Sequence, residues 1–278
     1  MMNDSVEKVC AEFCAYCRHQ MPIRQSGGRT GGPSSTPCDY ARVVTLFGTN
    51  LLFSVDSVIC TSYYVFGTTM TRLKLTYFDF HGGRGETARL ALAIAGIPFE
   101  DERIAFADWS RLKAEMPFGA LPVLEVDGRV VSQSNGINRY IGKLSGLYPT
   151  DPWQAVLCDE VMDAVEDIGT KVVSTFDLPD AEKKSQREAL AAGPLASYLK
   201  GLARRLDSAG GAYFADNRLT VADLRVFVWI RHLKSGALDH IPVDLPERVA
   251  PAVDAHYQRI KNEEGVNNYC RARRIPCP

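Results

Sequence analysis

A small α/β domain followed by an all-helical domain is the fold class this sequence predicts. Three observations carry that reading. A strand, a glycine-rich turn and a helix follow one another in "LKLTYFDFHGGRGETARLALAIAG", Leu73 to Gly96. Two β-rich runs meet at an Asp-Gly pair in "LPVLEVDGRVVSQ", a strong short-range hairpin signal. Past the proline-marked linker "LYPTDP" only helical periods remain.

"LKLTYF" alternates and is rich in β-formers, so it reads as a strand. "GETARLALAIAG" has a helical period and stops at Gly96. "PFEDERI" reads as a second strand, and a right-handed crossover makes it parallel to the first. "DWSRLKAEMPFG" is short and helical or irregular, the hairpin follows, and "SNGINRYIGKLSG" is a helix with a small-residue start. Strand, helix, strand, helix, strand, strand, helix is the thioredoxin-like arrangement. The boundaries are 70–148 for this domain, 149–152 for the linker and 153–278 for the helical domain. There, Leu157, Val161, Val165, Ile168, Val172 and Phe176 form one stripe along the first helix. Later helical runs include "QREALAAGPLASYLKGLARRLDS" and "TVADLRVFVWIRHLKSG", where Thr220 and Asp223 make a capping box.

Residues 1–69 read as an irregular leader. "RQSGGRTGGPSSTPCD" is a Gly/Ser/Pro-rich loop or linker. Cys10, Cys14, Cys17 and His19 are metal-ligand types. Structural zinc sites usually pair two spaced ligand sets, and no second set follows, so no metal is expected. Met70 would make a natural start for the working protein. Five of the eight cysteines lie in this leader, leaving Cys158, Cys270 and Cys277 beyond it. That usage suits a reduced, intracellular protein rather than a disulfide framework. A net charge of -1 offers no strong field to nucleic acid or an anionic membrane. No run reaches the ~18 apolar residues of a membrane span. The nearest, "VVTLFGTNLLFSVDSVICTSYYVF", is broken by Asn50 and Asp56.

From Met70 on, "LTYFDF", "RGETARL", "ADWSRLK", "PFGALPVLEVDG", "QSNGINRYI" and "TVADL" fall in an order and spacing that resemble the cytosolic glutathione transferases. The sigma class, which includes the haematopoietic prostaglandin D synthases, is the nearest match; residues 1–69 have no counterpart in it. The resemblance implies a cytoplasmic, homodimeric detoxification enzyme. Its co-substrate is glutathione, its second substrates are hydrophobic electrophiles, and it requires no metal.

The same resemblance assigns the site. Free thiols titrate near ~8.5, and the nucleophile is the thiolate. A tyrosine O–H aimed at the sulfur favours the anion, and that role falls to Tyr77. Arg84 supports the thiolate, although the interval from Tyr77 through "HGG" is one residue longer than the family's usual one. Trp109 and Lys113 would hold the glycyl end. Gly119, Ala120 and Leu121 form an edge before Pro122, expected to be cis, where the cysteinyl unit adds by main-chain hydrogen bonds. Ala120 stands where the family often has lysine. Gln133 and Ser134 place the γ-glutamyl carboxylate at a helix N-terminus; Ser134 could also be the N-cap. Asp163, Glu166 and Asp167 share one helix face. From there Asp167 would meet the γ-glutamyl amine bound by the neighbouring subunit.

Three rival readings stand beside this one. A dithiol redox enzyme needs a cysteine at the start of the first helix, and "FHGGRGE" has none. A glutathione-dependent isomerase or peroxidase would use the same thiolate. A ligand-binding relative would keep the fold without the chemistry.

Overall fold

A computed structural model describes residues 71–278, together with the backbone of two strands in the N-terminal stretch, β1 (Arg42–Leu46) and β2 (Thr49–Phe53). These strands pair antiparallel, from Arg42 opposite Phe53 to Leu46 opposite Thr49. They fall inside the leader read as irregular. Val43, Val44 and Thr45 are β-branched, which favours an extended backbone. Cys10, Cys14, Cys17 and His19 lie outside the described residues.

The larger unit begins at Thr69. Its sheet has the order β4-β3-β5-β6, built from β3 (Leu73–Phe78), β4 (Glu100–Ile104), β5 (Val123–Val126) and β6 (Arg129–Ser132). β3 runs parallel to β4, with Tyr77 opposite Arg103, and antiparallel to β5. The β5–β6 hairpin turns at Asp127 and Gly128, with φ of 49 and 81°. Positive φ at both positions matches the right-handed twist of the strands. Helix α1 (Gly83–Ile94) joins β3 to β4, and α3 (Ser134–Leu144) follows the hairpin. Between β4 and β5 the chain makes only short turns, among them the four-residue α2 (Trp109–Leu112). The α/β half is therefore thioredoxin-like.

Seven helices follow: α4 (Pro152–Val173), α5 (Asp180–Ala192), α6 (Pro194–Ser208), α7 (Val221–Lys234), α8 (Leu245–Val249), α9 (Pro251–Asn262) and α10 (Glu264–Ala272). Asp151 caps α4 by accepting the Gln154 N–H at 2.9 Å. The α4 stripe is buried at Val161, Val165, Ile168 and Val172, but Phe176 is 45% exposed. The helix ends at Val173, so the helical period no longer directs Phe176 inward. Its ring instead lies 5.3 Å from the Arg187 guanidinium.

α7 is the centre of the helical half. Val221 to Arg231 are all buried, as expected of a helix surrounded by others. Its capping box holds: the Asp223 carboxylate accepts the Thr220 N–H at 2.8 Å. One apolar core runs from Leu73 and Leu75 through α1, α4 and α7 to Ile275. The α/β and helical halves thus share a core. A second, smaller cluster gathers Tyr77, Ile104, Leu121 and Val123, with Trp109 against its edge. No described helix is long and apolar enough to cross a membrane.

Candidate active site

The end of β3, the turn after it and the first turn of α1 form the centre of the site. Tyr77 is buried, and its hydroxyl accepts the Arg84 backbone N–H at 2.9 Å. The first N–H groups of a helix lack partners within it, so the phenol satisfies one of them. Two glycines allow this approach. A Cβ on Gly83 would lie 2.4 Å from the Tyr77 hydroxyl, and one on Gly85 would lie 2.5 Å from Cγ of the ring. Gly83 also has a φ of 65°, which favours glycine. The longer "HGG" interval therefore still delivers the Arg84 N–H to the phenol.

Arg89 fixes the turn from below. It is fully buried, and donates to the Phe80 and Phe78 carbonyls at 3.0 and 3.3 Å. Its Nε donates to Asp101 at 2.8 Å, and its guanidinium lies 5.6 Å from the centre of the Tyr77 ring. Sequence reasoning missed it. The available signal was an arginine inside an otherwise apolar helical run.

Burial raises the Tyr77 phenol above its ordinary value; the Arg84 N–H and the charges of Arg84, Arg225 and Arg89 pull the other way without prevailing. Tyr77 is therefore an O–H at neutral pH. Among the described residues no side chain or carbonyl accepts its proton.

The Arg84 side chain turns toward α4, where Nε meets Glu166 at 2.6 Å and Nη2 donates to Thr170 at 3.2 Å. The other Glu166 oxygen accepts from Arg225 at 2.8 Å and from Ser134 at 3.4 Å. Burial disfavours the Glu166 carboxylate, but Arg225 and Arg84 outweigh it and hold the group below its ordinary value. Burial in turn lowers Arg225, with Glu166 opposing. Glu166 and Arg225 are the central residues of this network; the sequence marked Glu166 only as one of three acids on a helix face and did not single out Arg225. Arg225 sits among "ADLRVFV", where only its charge in an apolar run marks it.

The remaining expected residues form the rim. Trp109 opens α2 and stands edge-on to Phe78, with ring centres 5.5 Å apart. Lys113 is exposed, and its stem borders Gly119. Ala120 is extended and exposed, and the Leu121–Pro122 bond is cis. Among the described residues neither the N–H nor the C=O of Leu121 has a backbone partner. Gln133 holds φ 74° and ψ 111° at the N-cap of α3, and Ser134 is its first helical residue. The N-cap alternative for Ser134 is thereby corrected: the positive φ puts the helix boundary one residue earlier.

Tyr77, Trp109 and Leu121 thus belong to one cluster, while Arg84 and Ser134 meet on Glu166. Asp163, Glu166 and Asp167, three of the acids of α4, go to separate partners. Asp163 accepts from Asn135 at 2.6 Å, Glu166 takes the arginines, and exposed Asp167 accepts from the Tyr198 hydroxyl at 3.4 Å. Within its own chain Asp167 does not join the site. No cluster of three or more His, Cys, Asp or Glu residues that could hold a metal occurs among the described residues.

Comparison with known proteins identifies the family of the chain. Residues 73–143 match the family model for the glutathione S-transferase N-terminal domain, and residues 166–273 match that for the C-terminal domain. Glutathione S-transferase 1 of Ascaris suum is 38% identical over 161 residues, which is 56% of this chain and 77% of the relative. The solved structure of prostaglandin synthase D of Nilaparvata lugens is similar with a TM-score of 0.66 and 30% identity. It covers 74% of this chain and 100% of that one. The sigma class glutathione transferase of Fasciola hepatica gives a TM-score of 0.64 at 27% identity, covering 73% of this chain and 97% of that one. With both halves matched in order, and with a relative 38% identical over 77% of its length, the chain belongs to the glutathione S-transferase family.

Proposed function

We propose that this chain conjugates the glutathione thiolate to small hydrophobic electrophiles, with the Tyr77 O–H stabilising the thiolate. The observation that carries the reading is the state of Tyr77. It is buried, kept protonated, anchored by the Arg84 N–H, and has a proton with no acceptor among the described residues. A sulfur anion placed before it would receive that hydrogen bond. Lowering the thiol by about two pKa units needs roughly 2.7 kcal/mol of differential stabilisation. A hydrogen bond to a charged group, roughly 1.5–3 kcal/mol, is of that size.

The rest of the tripeptide has matching groups. The N–H and C=O of Leu121, without backbone partners among the described residues, offer a two-point main-chain edge to the cysteinyl unit. Gln133, Ser134 and the start of α3 offer N–H groups to the γ-glutamyl carboxylate. Trp109 and Lys113 serve the glycyl end, with Gly119 and Ala120 between. Arg84 adds positive charge beside the sulfur while Glu166 holds its side chain. The protein acts as a cytoplasmic homodimer in detoxification, and Asp167 of one subunit meets the γ-glutamyl amine bound by the other.

A second reading is glutathione-dependent isomerisation, favoured by the Nilaparvata lugens relative described as a prostaglandin synthase. Assaying conjugation to an aryl halide and isomerisation of a prostaglandin endoperoxide on the same preparation separates the two. Retention on immobilised glutathione with neither turnover would indicate a binding protein and sink the catalytic proposal.

A further inference from the structure

We propose that Cys270 and Cys277 form a dithiol site that reacts with small-molecule disulfides, with glutathione disulfide as the reagent, and closes to an intrachain disulfide. The two sulfurs lie 3.1 Å apart, and both thiols are free. A disulfide needs about 2.05 Å, so closure asks for an approach of about 1 Å. Cys270 is buried on α10, whereas Cys277 is only half-buried, in a tail held by buried Ile275 and by the Tyr257 hydroxyl, which donates to the Pro278 carbonyl at 2.8 Å. Cys277 is thus the more accessible of the two thiols.

The surroundings favour exchange. The buried Arg231 guanidinium of α7 contributes positive charge at both sulfurs. Its Nη2 donates to the His81 carbonyl at 3.1 Å and lies 3.7 Å from Glu86, while its Nη1 has no hydrogen-bond partner among the described residues. The hydrogen bond with Cys270 lowers the Cys277 thiol; burial opposes, Arg231 assists, and the result is about 6. The same hydrogen bond, then burial, raises Cys270. Cys158 is a contrast: burial pushes it up to about 12, and it has no thiol neighbour among the described residues.

The reaction balances. The Cys277 thiolate attacks one sulfur of glutathione disulfide, that S–S bond breaks, and one glutathione leaves as thiolate. Cys270 then loses its proton to solvent and attacks the Cys277 sulfur. The second glutathione leaves, and both glutathione thiolates are protonated from solvent. Two protein thiols are oxidised by two electrons and one glutathione disulfide is reduced to two glutathiones. This site is separate from Tyr77 and stands whether or not Tyr77 activates a thiol.

The test is peptide mapping of the full chain after incubation with glutathione disulfide, with alkylation to trap free thiols. Trypsin should release "NEEGVNNYCR" joined to "IPCP". Cys270→Ser should trap one glutathionyl group on Cys277, because the resolving thiol is gone. Cys277→Ser should leave Cys270 unmodified. A parental circular-dichroism spectrum and a cooperative thermal melt check that each variant is folded. Free thiols at both positions in the parent, or disulfide formation with peroxide but not with glutathione disulfide, would overturn the proposal. So would a Cys270→Ser protein with no adduct on Cys277.

Discussion

Gly85 lies so close to Tyr77 that a Cβ added to it would stand 2.5 Å from Cγ of the ring. The obstacle is the body of a buried side chain with nowhere to retreat. Gly85→Ala should therefore cost about 1–3 kcal/mol of stability by overpacking. It should also displace the phenol, so retention on immobilised glutathione should fall more than the melting point alone explains. A Gly85→Ala protein with parental stability and retention would show that the ring is free to move.

Glu166 neutralises two arginines, one of them buried. Glu166→Gln should cost about 3 kcal/mol in denaturant unfolding, because it leaves Arg225 buried without its anion. Arg84→Gln should cost less, since the Arg84 side chain is 31% exposed. Equal losses in the two variants would show that Arg225 takes another partner.

Acid should weaken the fold through Glu86. Burial disfavours its carboxylate, but His81, with Nδ1 3.6 Å away, and the charges of Arg231 and Arg89 outweigh that and lower the group from 4.5. A depressed folded value stabilises the native state above the ordinary carboxylate range, and the contribution is lost as pH falls through the folded value. Glu86→Gln should be less stable than the parent near pH 7, since Arg89 loses a buried partner. Its urea midpoint should also drop less between about pH 7 and pH 3. Parallel acid limbs for the two proteins would place the sensitivity elsewhere.

Asp223 does more than cap α7. Besides the Thr220 N–H, its carboxylate accepts the Phe214 N–H at 3.0 Å and contacts His256 Nε2 at 2.9 Å. Asp223→Ala should cost about 3 kcal/mol, the sum of a lost cap and of buried donors left without partners. A loss near 1 kcal/mol, measured by denaturant unfolding, would mean that water replaces the carboxylate.

Local chemistry was legible in the sequence. The Asp127-Gly128 turn, the cis bond before Pro122 and the Thr220–Asp223 cap are each specified by residues within a few positions of one another, or by the family resemblance those residues carry. Contacts between distant segments were not. Arg84 meets Glu166 across 82 positions, and Arg225 meets it across 59. No period or spacing encodes such a pairing, and a buried arginine looks the same as a solvated one until the helices pack. Phe176 shows the converse error, where a helical stripe was extended three residues past the end of its helix.

The central claim is that the Tyr77 hydroxyl tunes the glutathione thiol. The most direct measurement is the pH dependence of glutathione conjugation to an aryl halide by the parent and by Tyr77→Phe. The account predicts that the variant still binds glutathione, loses rate at neutral pH and regains it in alkali, its apparent thiol pKa higher by about two units. Parallel pH profiles, with parental rates at neutral pH, would contradict it.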